Sequence, residues 1–95
     1  MHARVTTLSG DPSRREEAVK AIEDDAIPLV TGLDGFEGGY WLADPSGKML
    51  AITLWASEEA LKASEQPIAE MRDRVTRRVG ETTEAVEAYQ VVARA

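Results

Sequence analysis

Two tryptophans, Trp41 and Trp55, lie in apolar runs on either side of the turn sequence Asp44-Pro45-Ser46-Gly47. Glu37 and Thr53 lie in the same runs and add a carboxylate and a hydroxyl. Indole rings can form the walls of a site for a flat aromatic molecule, whose orientation a few polar groups then fix. A second interpretation is equally open: both tryptophans only fill the protein interior or an interface between two copies.

The turn sequence suits a type I turn followed by a bulge glycine, so Phe36–Ala43 and Lys48–Trp55 are predicted to form a β-hairpin. Counting outward from the turn pairs Ala43 with Met49, Trp41 with Ala51, Gly39 with Thr53, and Glu37 with Trp55. Residues opposite one another share a face of the sheet.

The alternate positions of this hairpin are more uniformly apolar, and we assign them to the core beneath the helices: Phe36, Gly38, Tyr40, Leu42, Leu50, Ile52 and Leu54. Glu37, Trp41, Met49, Thr53 and Trp55 are then expected on the other face of the sheet. Four of these, Trp41, Met49, Thr53 and Trp55, are predicted to contact the ligand.

Composition excludes several classes of function. With no cysteine and only His2 as histidine, the chain can form no disulfide and no ordinary histidine or cysteine metal site. We expect neither a metal nor a cofactor. The formal net charge of −6 argues against nucleic acid and anionic membranes as partners. No run approaches the ~20 apolar residues of a membrane span, and nothing resembles a signal peptide, so we expect a cytoplasmic protein.

The residues of the hairpin are positioned by a regular succession of elements. A Val- and Thr-rich strand is predicted over residues 3–8, and a final strand over residues 84–93. Asp11-Pro12 begins a first helix that Pro28 should kink or end. Ser57 caps a second helix, which Pro67 interrupts and which resumes over residues 68–79 until Gly80.

The order β-α-β-β-α-β predicts an α+β, ferredoxin-like fold, in which a four-stranded antiparallel sheet carries two helices on one face. We expect residues 1–95 to form a single domain. Because the second face of the sheet also carries apolar residues, it has to be covered. Two sheets packed face to face in a symmetric homodimer, a dimeric α+β barrel, would achieve this.

Three stretches of the sequence resemble the antibiotic-biosynthesis-monooxygenase family: Gly35-Phe36-Glu37-Gly38-Gly39-Tyr40, the turn Asp44-Pro45-Ser46-Gly47, and Leu54-Trp55-Ala56-Ser57-Glu58-Glu59-Ala60-Leu61. The resemblance implies a dimer. It also implies a function among cofactor-independent oxygenases of polyketide quinones, heme-degrading enzymes and proteins of unknown role. The heme-degrading members use an asparagine, a tryptophan and a histidine that this chain lacks around Thr6, Ser64 and Arg74.

The resemblance also implies roles for individual residues. Trp55 matches a tryptophan that ends the third strand and contributes to the site of the quinone-oxygenating members. Arg72 or Arg74 corresponds to an arginine that assists from the second helix. An asparagine of that group, on the same face as the tryptophan, is replaced here by Ala51.

The first functional hypothesis is a cofactor-independent monooxygenase that acts on a small aromatic or polyketide-type molecule. Trp55 would then contribute to the site, Glu37 would be the candidate base and Arg72 the candidate partner of the substrate anion. The alternative is a non-catalytic dimer that binds a small ligand or serves as an accessory protein, which the replacement at Ala51 favours. Isomerase or cyclase chemistry in the same pocket is a third possibility.

Overall fold

The computed structural model describes residues 1–95. The strands are β1 (His2–Ser9), β2 (Phe36–Ala43), β3 (Lys48–Trp55) and β4 (Thr82–Gln90). A 3₁₀ turn (Pro12–Arg14) leads into α1 (Arg15–Ala21), a π-helical turn (Ile22–Ala26) and α2 (Ile27–Thr31); α3 (Glu58–Ala63) and α4 (Glu65–Val79) follow β3. No helix has both the length and the apolar character needed to cross a membrane.

The strands form one antiparallel sheet in the order β2-β3-β1-β4. Its helix-covered face carries Leu8, Met49 and Trp55, which form one buried cluster with apolar side chains of the helices before β2 and after β3. From the helices this cluster receives Ala18, Ala21, Ile22, Ala26, Val30, Leu61, Ile68, Met71, Val75 and Val79. The predicted α+β fold, with a four-stranded sheet and its helices on one face, is confirmed.

Pro28 lies within the first helical segment, residues 12–31, and does not end it. Helical structure continues past Pro28 to Thr31, and the π-helical turn immediately precedes this proline-containing segment. Proline has no N–H to donate to the preceding turn and its ring crowds that turn, so a wider turn accommodates it. The predicted end of the helix at Pro28 is therefore not found, and the departure from regular α-helix is a π-helical turn just before this proline.

The second helical segment, α3 and α4, is interrupted at Ser64 rather than at Pro67. Pro67 lies in the first turn of α4, where a backbone N–H has no partner within the helix and is not needed. Gly80 ends α4 in the left-handed conformation, with φ 69°, as predicted. The last strand is Thr82–Gln90, earlier in the chain than the predicted residues 84–93.

The hairpin pairs as predicted near its turn and departs from the prediction at its open end. Ala43 pairs with Met49, Trp41 with Ala51, and Gly39 with Thr53. A bulge between Phe36 and Gly38 then places Phe36, not Glu37, opposite Trp55. Gly38, with φ 148°, supplies a backbone conformation that other residues rarely adopt. The predicted pairing of Glu37 with Trp55 was therefore wrong.

The assignment of the two hairpin faces was also wrong. Met49 and Trp55 belong to the buried core against the helices, and Trp41 packs against that core. Tyr40 and Leu42 point away from the helices and are 61% and 46% exposed. Both faces of the hairpin are apolar, so an apolar count cannot identify the helix side. Two packed layers need large side chains to fill the space between them, and Trp41, Met49 and Trp55 supply that volume.

Candidate functional site

A half-open cavity lies between the sheet and the helices. Its walls come from β1, β2 and β3, from the helical segments before and after the hairpin, and from the loop after α4. The lining residues are Arg4, Thr6, Leu8, Ile22, Ala26, Val30, Trp41, Ala51, Thr53, Ile68, Met71, Arg72, Val75, Thr76 and Glu81. The cavity therefore lies on the face of the sheet opposite to the one that the sequence led us to expect.

The centre of a water molecule can occupy about 50 Å³ of this cavity, and the depression measures about 550 Å³ when counted out to open solvent. The enclosed part is enough for a few waters, so an aromatic ring has to widen it. Met71 and Arg72, with long unbranched side chains, lie on its helical wall and can change rotamer more readily than β-branched neighbours. The interior is thus neither fully packed nor a large preformed pocket.

Arg4, on β1, is a buried cation in the wall of this cavity. Its side chain is 4% exposed. Nη1 donates to Ser64 Oγ at 3.0 Å and Nη2 to the Leu61 carbonyl at 2.9 Å. The guanidinium also lies over the Trp55 ring, 5.8 Å from its centroid. No carboxylate forms an ion pair with Arg4.

Arg72 brings a second guanidinium to the same region. It lines the cavity from α4, is half-buried and likewise forms no ion pair. Burial lowers the pKa of Arg72. Burial, and secondarily the charge of Arg72, lower the pKa of Arg4. Arg74 is exposed on α4 and does not line the cavity, so Arg72 is the helix arginine that the structure brings to this site.

Trp55 does not line the cavity but contacts Thr53, which does. Its side chain is 0% exposed, and its Nε1 donates to Thr53 Oγ1 at 3.0 Å. Phe36 packs edge-on against the Trp55 ring, with centroids 5.5 Å apart and planes at 67°. Because Thr53 Oγ1 accepts from Trp55, its own hydroxyl proton is free to be donated to a ligand in the cavity.

Trp41 is the predicted tryptophan that does line the cavity. Its ring leans over Gly39, where an added Cβ would lie 3.2 Å from the indole. Ala51, opposite Trp41 in the sheet, leaves the space that a larger side chain would occupy. Met49, by contrast, is buried in the core cluster and is not part of the cavity wall.

The carboxylate at the cavity is Glu81, not Glu37. Glu37 is exposed at the bulge of β2 and lies outside the cavity wall. Glu81 is half-buried just after α4, makes no side-chain hydrogen bond or ion pair, and lines the cavity. Burial raises the pKa of Glu81. No group of three histidine, cysteine or acidic side chains is placed to hold a metal ion.

Solved structures with the same arrangement of elements identify the fold. A protein from Deinococcus radiodurans, provisionally assigned as an antibiotic biosynthesis monooxygenase, matches 100% of this chain and 96% of its own with a TM-score of 0.78 at 15% identity. A variant of SnoaB, a cofactor-independent oxygenase from Streptomyces nogalater, matches 98% of this chain and 94% of its own, with a TM-score of 0.75 at 14% identity. This chain has the antibiotic biosynthesis monooxygenase fold. The resemblance read from the sequence motifs is thereby supported.

A third structure with this monooxygenase fold contains a ligand. The monooxygenase from the gene ActVA-Orf6 of Streptomyces coelicolor, solved in complex with nanaomycin D, covers 99% of this chain and 88% of its own, with a TM-score of 0.71 at 19% identity. At identities this low, the three likenesses establish a shared fold.

The sequence itself is similar to proteins of Mycobacterium tuberculosis that have no described function. Uncharacterized protein Rv2557 is 31% identical over 94 residues, which is 98% of this chain and 42% of the relative. Uncharacterized protein Rv2558 is 32% identical over 75 residues, 78% of this chain and 32% of the relative. The chain thus spans less than half the length of these relatives. No family model matches the sequence.

Within this monooxygenase fold, the structure adds two residues that sequence reasoning missed, Arg4 and Glu81. Arg4 alternates with Thr6 and Leu8 along β1, so all three share the helix-facing side. A period-two reading of β1 would have placed an arginine beside a core leucine, which is an unusual position for a charge. For Glu81 the sequence carries no comparable signal, because it follows the helix-ending glycine like an ordinary loop residue.

Proposed function

We propose that this protein is a cofactor-independent monooxygenase that binds a small aromatic or polyketide-type molecule between its sheet and its helices. The observation that carries the proposal is the half-open, mainly apolar cavity bordered by two guanidinium groups without carboxylate partners. Such a site favours a ring that becomes negatively charged during a reaction. The fold shared with a cofactor-independent oxygenase adds support.

In this proposal the substrate itself reduces oxygen. An activated ring methylene, R₂CH₂, loses a proton, and the resulting carbanion transfers electrons to O₂. The overall change is R₂CH₂ + O₂ → R₂C=O + H₂O, so one oxygen atom enters the product and the other leaves as water. The protein has to exclude bulk water, orient the ring and stabilise the anion.

The cavity residues fit these tasks. Trp41 would pack against the ring, Arg72 would stabilise the anion, and the Thr53 hydroxyl would donate a hydrogen bond to a substrate oxygen. Glu81 is the acidic side chain of the cavity wall and would accept the proton. Trp55 would act as a positioning residue through its bond to Thr53. Glu37 and Met49 remain predictions from the sequence without support from the cavity.

Oxygen consumption with a panel of hydroxynaphthalenes and anthrone-type substrates tests the proposal. Arg72→Met should lower kcat by about 10²-fold, the typical loss when one group that stabilises an anion is removed. Arg74→Met is the matched control, since this arginine of the same helix is exposed and lies outside the cavity. Equal rates in the wild type and the Arg72 variant would contradict the assignment. Ligand binding without oxygen uptake for any compound would contradict the enzymatic proposal.

A non-catalytic small-ligand-binding or accessory protein is the alternative function. Two observations favour it. The enclosed volume is small, and the β3 position opposite Trp41 is Ala51, which offers no polar group to a reacting oxygen. Saturable quenching of tryptophan fluorescence, together with the absence of turnover, would support this alternative. Isomerase or cyclase chemistry would show turnover without oxygen uptake.

We also propose that two copies of the chain pair through the sheet face that the helices leave open. Tyr40 and Leu42 are exposed on that face, beside Leu50, Ile52 and Leu54, which are only half-buried. A contiguous apolar surface of this kind is costly in water and is typical of an interface. A single domain over residues 1–95 and a cytoplasmic location are retained as proposals from the sequence.

A further inference from the structure

We propose that the ligand of this cavity carries a carboxylate before any reaction occurs, and that Arg4 binds this carboxylate. The inference rests on the proposed function, because it assumes that an aromatic ring enters the cavity. It goes further by assigning a charge class to the ligand and a specificity role to a residue on β1.

The burial of Arg4 is energetically unusual. A buried guanidinium is costly unless an anion and hydrogen-bond acceptors compensate for it. Arg4 is 4% exposed and has two acceptors, Ser64 Oγ and the Leu61 carbonyl, but no carboxylate at ion-pair distance. Of the five N–H groups of a guanidinium, these two bonds leave three without a protein acceptor.

The acidic groups near Arg4 form no ion pair with it. Glu65, at the start of α4, is the acidic residue whose charge raises the pKa of Arg4. Its side chain is exposed and forms no ion pair with Arg4. The neighbouring cation, Arg72, adds to the positive charge instead of relieving it. Arg4 therefore has carboxylates nearby, but none of them lies at ion-pair distance.

Two depressions in the protein border Arg4. Arg4 and Arg72 line both the inner cavity and a second, more open groove of about 270 Å³. The other walls of this groove are the exposed carboxylates Glu65 and Glu87 and the apolar residues Ala69, Val86 and Ala88. The two arginines thus mark the junction between the apolar interior and solvent. A ligand could place its ring against Trp41 and its anionic group at this junction.

Among anionic groups, a carboxylate is the one that best fits a guanidinium. The charge of an arginine persists at every physiological pH, so it calls for a partner that is already ionised when it binds. A phenol is largely neutral at neutral pH, whereas a carboxylate is ionised and matches the fork of a guanidinium with paired hydrogen bonds. The ligand class is therefore an aromatic carboxylic acid in its anionic form.

Calorimetric titration with 2-naphthoate and its neutral isostere 2-naphthamide tests the inference at neutral pH and low salt. The wild type should prefer naphthoate by about 10- to 100-fold, the range expected for a hydrogen-bonded charge pair. Arg4→Met should reduce that preference to less than about 3-fold and leave naphthamide affinity nearly unchanged. Arg74→Met should keep the wild-type preference.

Thermal unfolding of Arg4→Met checks that a lost preference does not come from lost structure. Replacing a buried charge that has no ion-pair partner by an apolar side chain of similar length removes the cost of burying that charge. The Leu61 carbonyl also retains the bond from Ser64 Oγ at 2.6 Å. We therefore expect a melting temperature equal to or above that of the wild type. If this variant does not fold, Arg72→Met decides between the two arginines: a naphthoate preference that persists in Arg72→Met supports Arg4, and a preference that is lost there overturns the assignment to Arg4.

The outcomes separate this inference from the proposed function. Equal affinity of the wild type for naphthoate and naphthamide would overturn the role of Arg4 while leaving the aromatic cavity intact. Binding of neither compound would contradict both proposals. Retention of the charge preference in Arg4→Met would move the carboxylate site away from Arg4.

Discussion

Thr53→Val tests the hydrogen bond that joins the cavity wall to the buried tryptophan. Valine has nearly the shape of threonine, so the substitution removes the acceptor of Trp55 Nε1 and changes little else. Trp55 is 0% exposed, which prevents water from replacing that acceptor. An orphaned buried donor costs about 1–3 kcal/mol. For a domain of this size, each kcal/mol corresponds to a decrease of about 4–8 °C in melting temperature.

The measurement is chemical denaturation followed by far-UV circular dichroism, which does not depend on the tryptophan being replaced. Four proteins form a double-mutant cycle: wild type, Thr53→Val, Trp55→Phe and the double variant. Phenylalanine has no N–H to orphan, so valine at position 53 should be less harmful beside it. We expect a coupling free energy of about 1 kcal/mol. Strict additivity of the two single losses would refute the reasoning.

Two further predictions concern Glu81 and the open face of the sheet. Burial raises the pKa of Glu81 above its ordinary value of 4.5, so ionisation disfavours the folded state and stability falls as pH rises through the folded pKa. Glu81→Gln should therefore melt above the wild type at neutral pH, and the gain should vanish below pH 4.5; a pH-independent difference would contradict this. Ile52→Lys should convert a dimer into a monomer in size-exclusion chromatography with light scattering, because it places a charge within the proposed interface. Val19→Lys on the exposed side of α1 is its control, and an unchanged mass for Ile52→Lys would exclude this interface.

The hairpin shows how far the sequence alone could lead. The turn sequence determines the pairing near the turn, because loop length fixes register, and the pairs of Trp41 with Ala51 and Gly39 with Thr53 are those predicted. The bulge at Gly38 was not predicted, since a glycine within a strand fits both regular pairing and a bulge. Which face the helices cover depends on packing volume between distant elements, and no local pattern reports that volume.

The candidate site was predictable in part for the same reason. Trp41, Thr53 and Arg72 do lie at the cavity. Trp41 and Thr53 were nevertheless expected on the opposite face of the sheet, and Arg72 was named only through the family resemblance, as one of two arginines. Trp55 and Met49 were assigned to a ligand surface, but the structure places them in the packed core. Arg4 and Glu81 come to the cavity from β1 and from the loop after α4, and only the tertiary fold reveals that proximity.

The π-helical turn before α2 gives this fold a way to change its cavity wall independently of its sheet. In a regular α-helix, side chains four residues apart drift by about 40° around the axis at each step. Ile22, Ala26 and Val30 have this spacing and all three line the cavity, and the interval from Ile22 to Ala26 lies within the wider turn. A one-residue deletion within residues 22–26 would restore a regular helix and rotate Val30 relative to α1. Insertions and deletions at this turn could thus vary ligand preference in related chains while every strand pair stays in place.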